Sequence, residues 1–248
     1  MMVDYFNLAK EEGELFISHR RGILALIPKK GNQMQLKNKR PICLLDVVYK
    51  IIAKVIANRL GNVINKIVHN DQTGFINGRY IGENIRLISD VIEYCHMDKT
   101  EGILLAIDYR NAFDSVEHDF IVRVLEMFNF GPDFIAWVRL LYSNALLTVK
   151  NNGLTSEWFP CSRGTFQGSP LSGLLFNLVV EILAIKIRAS EHIVGVKLNG
   201  IEIKISQYAD DTTLFLKEPS SINNVMEVLT EFKNVSGLEI NVQKCNIM

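Results

Sequence analysis

The 248-residue sequence predicts an α+β fold, with helices packed on one face of a mostly antiparallel sheet. Residues 101–108, EGILLAID, form a continuous apolar run that ends in an acid, as expected of a buried strand. Asn199-Gly200 separates two alternating segments, which is the pattern of a β-hairpin turn. Apolar residues recur at helical spacing from Leu45 to Ile67 and predict an amphipathic helix.

The other elements follow from local start, stop and turn signals. The further predicted helices cover residues 83–96, a segment that Ser115 caps with Glu117 and Asp119 in its first turn, the segment from Gly131-Pro132 to about Ser143, the segment from Ser169-Pro170 to about Arg188, and the segment from Pro219-Ser220 to Gly237. The further predicted strands lie at residues 23–27, near 146–150 and 157–161, at 195–199 and 201–206, and at 203–208 with a return through TTLFL.

Composition excludes a disordered chain, because 48% of the residues are hydrophobic and only 22% are charged. The most apolar stretch, residues 173–187, is interrupted by Glu181 and is shorter than the ~20 residues of a spanning helix, so a buried helix is expected. The N-terminal segment is acidic where a secretory signal is basic. We therefore expect an intracellular protein, in the nucleus or cytoplasm, with no membrane partner and with its four cysteines reduced and without disulfide partners.

Charge is unevenly distributed along the chain. The 27 basic and 27 acidic residues cancel, which taken alone argues against a nucleic-acid ligand. Residues 20–60, however, carry ten basic side chains and one acid, a local net charge of +9. Such segregation can form a phosphate-binding surface without a basic overall charge, although solvated helix and loop faces would give the same pattern.

Three aspartates stand at strand ends, where carboxylates are costly to desolvate. Asp108 ends the apolar run, and the adjacent Asp210 and Asp211 lie at the tip of an apolar hairpin. Taken singly, these acids fit a strand-end acid and a solvated turn equally well. Together they suit divalent cations, because carboxylate oxygens bind Mg²⁺ and relieve the repulsion between neighbouring acids.

Seven segments occur in a single order that resembles the reverse transcriptase domain of LINE-type non-LTR retrotransposons. The segments are IPKKG (27–31), LKNKRPICLLDVVYKIIAKVIANRL (36–60), DQTGFINGRYIGENI (71–85), LLAIDYRNAFDSV (104–116), RGTFQGSPLSGLLFNLV (163–179), ISQYADDTTLF (205–215) and SGLEINVQK (236–244). A different palm-type enzyme, such as a nucleotide cyclase, would share the paired acids but not this series.

The resemblance implies a polymerase right-hand fold and a catalytic centre in its palm. Asp108, Asp210 and Asp211 match the family's catalytic aspartates and would hold two Mg²⁺ ions, with Mn²⁺ as a substitute. Asp114 is not an expected metal ligand and is interpreted as structural. Phe113 matches the side chain that excludes a ribose 2′-hydroxyl, although core packing would also account for it. The implied partners are an RNA template, a DNA primer and dNTPs.

Further nucleotide contacts follow from the same resemblance. Gln167 and Gly168 match the segment beside the incoming nucleotide, where glycine lets the backbone approach a ligand. Arg40 resembles the arginine that binds the triphosphate bidentately, with Lys30 and Lys37 as helpers. Lys244 matches a late lysine that would act as a general acid for the leaving pyrophosphate.

Three residues depart from the family pattern within the segment RGTFQGSPLSG (163–173). Phe166 replaces a common basic residue, Ser169 a common cysteine and Gly173 a common proline. The loss of a cation at position 166 puts a contact between this segment and the template or primer in doubt. The metal ligands are unaffected by these departures.

The resemblance divides the chain into an N-terminal segment with fingers over residues 1–100 and a palm over 101–248. Some fingers elements are expected between residues 115 and 160, and the thumb is expected to be absent. The expected function is RNA-directed DNA polymerisation. The alternative is a catalytically silent retrotransposon remnant that at most binds RNA, since thumb and accessory regions would be missing.

Overall fold

The computed structural model describes residues 2–248, apart from the side chain of Lys37. The chain forms two compact units. The first unit comprises the residues up to Leu60 and the segment Glu117–Ser172, and the second comprises Gly61–Val116 and Gly173–Met248. Each unit contains its own β-sheet.

The helices of the described residues vary from single turns to five turns. They are α1 (Met2–Glu12), α2 (Val47–Gly61), α3 (Ile64–Ile67), α4 (Ile81–Met97), α5 (Ala112–Ser115), α6 (His118–Met127), α7 (Pro132–Tyr142), α8 (Ser172–Ala189) and α9 (Ser220–Ser236).

The strands of the described residues are short. They are β1 (Arg21–Pro28), β2 (Lys39–Leu45), β3 (Ile103–Ile107), β4 (Leu146–Asn151), β5 (Leu154–Thr155), β6 (Phe159–Pro160), β7 (Val196–Leu198), β8 (Ile201–Ile203), β9 (Ile205–Tyr208), β10 (Asp211–Leu216) and β11 (Asn246–Ile247).

The sheet of the first unit has the order β2-β1-β4-β5, with β6 also paired to β4. Strand β2 was not predicted, because Pro41 interrupts its sequence pattern. The sheet tolerates this proline because β2 is an edge strand, where a missing N–H leaves no ladder bond unmade. In the register, Pro41 lies opposite Leu26 and Arg40 opposite Ile27.

The sheet of the second unit is antiparallel, with the order β11-β3-β10-β9. This sheet confirms the predicted α+β class. Strand β3 lies between β10 and β11, so its backbone groups are paired on both sides. The separate hairpin β7–β8 turns at Asn199 and Gly200, whose φ angles of 49° and 81° confirm the predicted turn chemistry.

Helix α8 is buried on almost every side, as its mostly apolar sequence predicted. Leu175, Phe176, Val179 and Leu183 are all fully buried. Its one interior acid, Glu181, forms an ion pair with Arg188, which lies two helical turns later. Among residues 2–248, no helix combines the length and the apolar character needed to cross a bilayer.

Two predicted helix starts were wrong. Ser115 does not cap α6, because it ends the short helix α5 and its hydroxyl donates to the carbonyls of Arg110 and Asn111. Glu117 occupies the N-cap of α6 instead. Ser169 and Pro170 form a turn before α8, which begins at Ser172.

The single helix predicted from Leu45 to Ile67 is two helices. Leu45 ends β2, and the carboxylate of Asp46 then accepts a hydrogen bond from the Val48 N–H at 2.8 Å, which fixes the start of α2. Helix α2 ends at Gly61, and α3 starts after Val63. The sequence did not reveal this break because the buried apolar residues of α2 and α3 continue at the same helical spacing across it.

The two compact units do not follow the expected division near residue 100. Residues 61–100 fall in the second unit because segment 71–73 pairs with β9 through a parallel bridge between Gln72 and Gln207. Residues 117–172 fall in the first unit because β4 pairs with β1. The assignment of fingers to residues 1–100 and of the palm to residues 101–248 stays a prediction.

Candidate functional site

The strand ends of the second unit bring two of the three predicted aspartates opposite each other. Strand β3 ends at Ile107, which pairs with Thr212 of β10. Continuing this antiparallel register by one residue places Asp108 opposite Asp211. Directly opposed residues have Cβ atoms about 4.5–5.5 Å apart, so the two side chains are neighbours although they are distant in sequence.

Asp210 lies in the two-residue turn between β9 and β10. Tyr208 pairs with Asp211, which leaves Ala209 and Asp210 as the turn residues. The φ angle of Ala209 is 55°, a conformation that usually requires glycine. The turn therefore fixes Asp210 next to the pair of facing aspartates.

One oxygen of Asp108 lacks the partner that its burial calls for. Oδ2 of Asp108 is buried and has no hydrogen-bond partner among the described residues. The ammonium group of Lys244 lies 3.7 Å from it, which is an ion-pair distance but is beyond hydrogen-bond range. Such an oxygen, beside two further carboxylates, is chemically suited to a hard divalent cation.

The side chains are nevertheless not gathered into a finished metal site. Over the described part of the chain, no three His, Cys, Asp or Glu side chains are grouped closely enough to hold a metal ion. The backbone brings Asp108, Asp210 and Asp211 to one sheet end, and the donor chemistry fits Mg²⁺.

Lys244 lies beside Asp108, and its predicted role as a general acid stays a prediction. It follows the turn that begins at Asn241, whose N–H donates to the Asp108 carbonyl at 2.7 Å. The side chain of Lys244 is mostly exposed, so it can leave Asp108 without breaking core contacts. A cation at this point compensates the carboxylates and can give a proton to a leaving group.

Phe113 is part of a row of three aromatic rings. Its ring stacks on that of Phe176 with a centroid distance of 4.3 Å, and it meets the ring of Phe75 edge-on at 6.0 Å. Asp114 follows Phe113 in α5, where its N–H donates to the Asn111 carbonyl. Both the predicted exclusion of a 2′-hydroxyl and core packing are compatible with this placement of Phe113.

The structure gives a reason for Gly173, one of the departures from the family pattern. A Cβ atom at this position would lie 2.6–2.9 Å from ring carbons of Phe75. Phe75 itself has a φ angle of 55° and a largely exposed side chain. Gly173 therefore leaves the space in which the Phe75 ring packs against Phe113.

Replacing Gly173 by alanine should destabilise the protein, although alanine is favoured over glycine in helices by about 1 kcal/mol. The ring of Phe75 must move to admit the methyl group, and such overpacking costs about 1–3 kcal/mol. Denaturant unfolding would measure the change. Gly61→Ala is the matched control, because no atom lies within 4 Å of the added Cβ at that helical glycine. Equal stabilisation by both substitutions would contradict this account of Gly173.

The first unit carries the residues predicted to contact the nucleotide, except Phe113, which lies in the second unit. Arg40 is an exposed residue of β2, and Lys30 is exposed in the loop that joins β1 to β2. This loop is tied together by the hydrogen bond from the Lys29 N–H to the Asn38 carbonyl at 2.8 Å. The predicted role of the Lys37 side chain falls outside the described residues.

Gln167 and Gly168 are held by strand β2. The Cys43 N–H donates to the Gln167 carbonyl at 2.7 Å. Gly168 has a φ angle of 128°, and a Cβ there would lie 2.4 Å from the Cys43 carbonyl oxygen. Glycine is required here because the loop lies against the backbone of β2 at Cys43, in the same strand as Arg40. Contact with a nucleotide stays a prediction.

Phe166 belongs to an aromatic cluster in the core of the first unit. Its ring is 5.5 Å from that of Tyr142 and 6.0 Å from that of Tyr49. His118 completes the cluster, with its ring 4.6 Å from that of Tyr142. Because Phe166 points into this cluster, a basic side chain in its place would have to be buried or turned outward.

His118 ties the aromatic cluster to the loop that precedes Gln167. Its Nε2 lies 3.0 Å from the Gly164 carbonyl, and since a carbonyl can only accept, Nε2 carries the hydrogen. Burial lowers the pKa of His118 below its ordinary value of 6.5, although this hydrogen bond and nearby acids oppose the change. The ring is therefore neutral at pH 7.

Acidification should destabilise the protein partly through His118. Below about pH 6.5 the unfolded chain takes up a proton that the folded ring resists, so the free energy of unfolding falls as the pH decreases. His118→Gln keeps a donor for Gly164 but cannot titrate in this range, so its unfolding free energy should fall less between pH 7.5 and 5.5. Denaturant titrations at the two pH values measure the difference. His96→Gln, at an exposed histidine of α4, is the control, and an equal effect of both variants would refute this role.

Sequence reasoning did not find two groups of buried polar residues near the β9–β10 turn. In one group, Arg188 bridges Glu181 and Asp71, with a distance of 2.6 Å to Asp71 Oδ2. Burial raises the pKa of Glu181, and the guanidinium of Arg188 opposes this shift. The other group centres on Gln72, which is fully buried. The signal available for Gln72 was its place in DQTGF, a motif to which no chemistry was assigned.

The fold resembles that of solved telomerase structures. An apo telomerase from Candida tropicalis, truncated from its C-terminal domain, superposes with a TM-score of 0.62 at 16% identity, covering 93% of this chain and 50% of that one. Telomerase from Candida albicans in complex with the TWJ fragment of telomeric RNA gives a TM-score of 0.67 at 11% identity, covering 99% and 45%. Telomerase is a reverse transcriptase with a right-hand polymerase fold. The present chain therefore has this fold.

The sequence itself matches a family model over residues 27–248, that of reverse transcriptase (RNA-dependent DNA polymerase). The chain belongs to this family. Its relatives include the transposon TX1 149 kDa protein of Xenopus laevis, at 34% identity over 95% of this chain and 18% of that protein. The R2 Pol polyprotein of Nasonia vitripennis is 30% identical over 98% of this chain and 23% of that protein. The chain thus spans about a fifth of the length of these relatives, and it corresponds to the reverse transcriptase domain of a LINE-type element.

Proposed function

We propose that this domain synthesises DNA on an RNA template by two-metal-ion transfer of a nucleotide from a dNTP to a primer 3′-hydroxyl. The observation that carries the proposal is the sheet end at which Asp211 faces Asp108 and the β9–β10 turn supplies Asp210. These three carboxylates would hold two Mg²⁺ ions, and Mn²⁺ would substitute. Bound there, the ions would lower the pKa of the primer hydroxyl and stabilise charge on the transferring phosphate.

The remaining side chains orient the reactants and manage the proton. Arg40 presents a guanidinium that can bind a triphosphate bidentately, and Lys30 and Lys37 add positive charge. The Phe113 ring, supported by the stacked ring of Phe176, excludes a ribose 2′-hydroxyl by its bulk. Gln167 and Gly168 line the path of the nucleotide. Lys244 gives its proton to the leaving pyrophosphate.

The proposed partners are an RNA template, a DNA primer and dNTPs, and the proposed location is intracellular. The local charge of +9 over residues 20–60 supports contact with phosphates, because each neutralised phosphate contributes to affinity by releasing counterions. The neutral total charge of the chain includes the carboxylates that Mg²⁺ would neutralise.

Primer extension tests this proposal. The chain is mixed with a DNA primer annealed to an RNA template, dNTPs and Mg²⁺, and the products are sized on a gel. We expect extension that stops when EDTA is added and that decreases at least several-fold when rNTPs replace dNTPs. Salt-sensitive RNA binding without any extension at high protein concentration would overturn the proposal and support the silent-remnant alternative.

A further inference from the structure

The side chain of Gln72 binds both backbone groups of one turn residue, Ala209. Its Nε2 donates to the Ala209 carbonyl at 3.2 Å, and its Oε1 accepts from the Ala209 N–H at 2.8 Å. The same Oε1 accepts from the Gly74 N–H at 2.9 Å. We call these three hydrogen bonds the Gln72 clamp. Residues 72 and 209 are fully buried or nearly so, which means that water cannot replace these bonds without opening the core.

The residue that the clamp holds is the one that aims Asp210. Ala209 immediately precedes Asp210 and has a φ angle of 55°, where an alanine is strained by its Cβ. The strained conformation persists only if the surroundings enforce it. The Gln72 clamp supplies that enforcement, since it binds the peptide groups on both sides of the Ala209 Cα.

The clamp is anchored independently of the turn. The Gln207 N–H donates to the Asp71 carbonyl at 2.7 Å, and the Thr73 N–H donates to the Gln207 carbonyl at 2.9 Å. From α8, the Asn177 amide donates to the Gly74 carbonyl at 2.6 Å. Segment 71–74 is therefore fixed to β9 and to α8, and it presents Gln72 to the turn as a rigid support.

A glycine is required beside the clamp for steric reasons. A Cβ on Gly74 would lie 2.4 Å from the Ala209 nitrogen. The backbone of Gly74 therefore lies directly against the backbone of the turn, and a larger residue at position 74 would push the two apart.

From this geometry we infer that Gln72 is a positioning residue for the catalytic turn. Its carboxamide fixes the peptide of Ala209 and so sets the direction in which the Asp210 carboxylate leaves the turn. Gln72 is fully buried and supplies no metal ligand in the proposed function. The inference rests on the proposed function, because the group that is positioned is a ligand in that proposal.

The first test is Gln72→Met, which keeps the length of the side chain and removes all three hydrogen bonds. We expect kcat for primer extension to fall about tenfold or more, and the Mg²⁺ concentration for half-maximal activity to rise several-fold. The KM for dNTP should change less than twofold, because no nucleotide contact is altered. Ser221→Ala is the control, since it removes a buried hydroxyl that accepts from the Val194 N–H, outside segment 71–74 and outside the β9–β10 turn. It should lower the unfolding midpoint similarly and leave kcat within about twofold.

The second test needs no catalytic activity. Hydrogen–deuterium exchange of the peptide that contains Tyr208–Asp211 should be at least tenfold faster in Gln72→Met than in the wild type, because the Ala209 N–H has lost its acceptor. In Ser221→Ala, exchange of this peptide should stay at the wild-type rate. Equal exchange in wild type and Gln72→Met would overturn the inference, even for a chain without measurable polymerase activity.

The third test is a rescue. Glycine adopts positive φ angles without strain, so Ala209→Gly should restore at least part of kcat in the Gln72→Met background. Additive losses from the two substitutions would contradict a role of Gln72 in holding Ala209. If the wild-type chain extends no primer, the proposed function fails. If it extends normally and Gln72→Met does so equally well, only the inference about Gln72 fails.

Discussion

Replacing Asp210 by asparagine is expected to reduce primer extension about a thousandfold or more. The amide keeps the shape of the side chain, so packing in the turn between β9 and β10 is preserved. It removes the negative charge by which the carboxylate would hold Mg²⁺. Loss of several kcal/mol of charge stabilisation in the transition state corresponds to a rate loss of about this size. Single-turnover primer extension at saturating Mg²⁺ measures it.

Asp114→Asn is the matched control for this substitution. It makes the same chemical change in the segment that follows Asp108, at an acid to which no metal-binding role is assigned. Both variants should unfold near the wild-type temperature, and the Asp114 variant should retain most of the activity. Wild-type rates in Asp210→Asn, or equal losses in both variants, would show that the catalytic carboxylates lie elsewhere.

The second large effect is expected for Gly168→Ala, which should destabilise the protein by about 2–4 kcal/mol. The positive φ angle of Gly168 is unfavourable for alanine. In addition, the new methyl group would lie 2.4 Å from the Cys43 carbonyl oxygen, which belongs to a strand backbone and cannot rotate away. The clash would be relieved if the loop that contains Gly168 moved away from β2, but this movement would break the hydrogen bond between Cys43 and Gln167. Chemical unfolding at equilibrium measures the cost.

Gly153→Ala separates the two contributions to this cost. Gly153 also has a positive φ angle, 84°, but nothing lies within 4 Å of a Cβ at that position. Its substitution should cost about 1 kcal/mol, the conformational part alone. The remainder of the Gly168→Ala effect is then steric. If the two variants lose equal stability, the contact with Cys43 does not explain why glycine stands at position 168.

Sequence reasoning succeeded where a structure depends on chemistry close in the chain. Gly131-Pro132 started α7 and Asn199-Gly200 turned the β7–β8 hairpin as predicted, because these residues restrict or permit particular φ angles. The alternation and apolar runs that flank Asp108 and Asp211 also located β3, β9 and β10. The facing arrangement of these two acids was therefore within reach of the sequence.

The features that escaped prediction depend on partners far along the chain. Strand β11 exists because two residues near position 246 pair with β3, and nothing in their local sequence indicates a strand. The reason for Gly168 lies at Cys43, and the role of Gln72 depends on Ala209. Ser115 was assigned to the wrong helix because its hydroxyl has carbonyl acceptors behind it as well as N–H donors ahead of it.

The contact between Lys244 and Asp108 affects the electrostatics of cation binding at this site. The ammonium group 3.7 Å from Asp108 Oδ2 is already a counter-ion for the carboxylate. Under the proposed function, a divalent cation would therefore have to displace a tethered ammonium group that already compensates the carboxylate. The affinity of the proposed site for Mg²⁺ would then be a difference between two electrostatic attractions, and the displacement would leave Lys244 free to serve as the proposed proton donor.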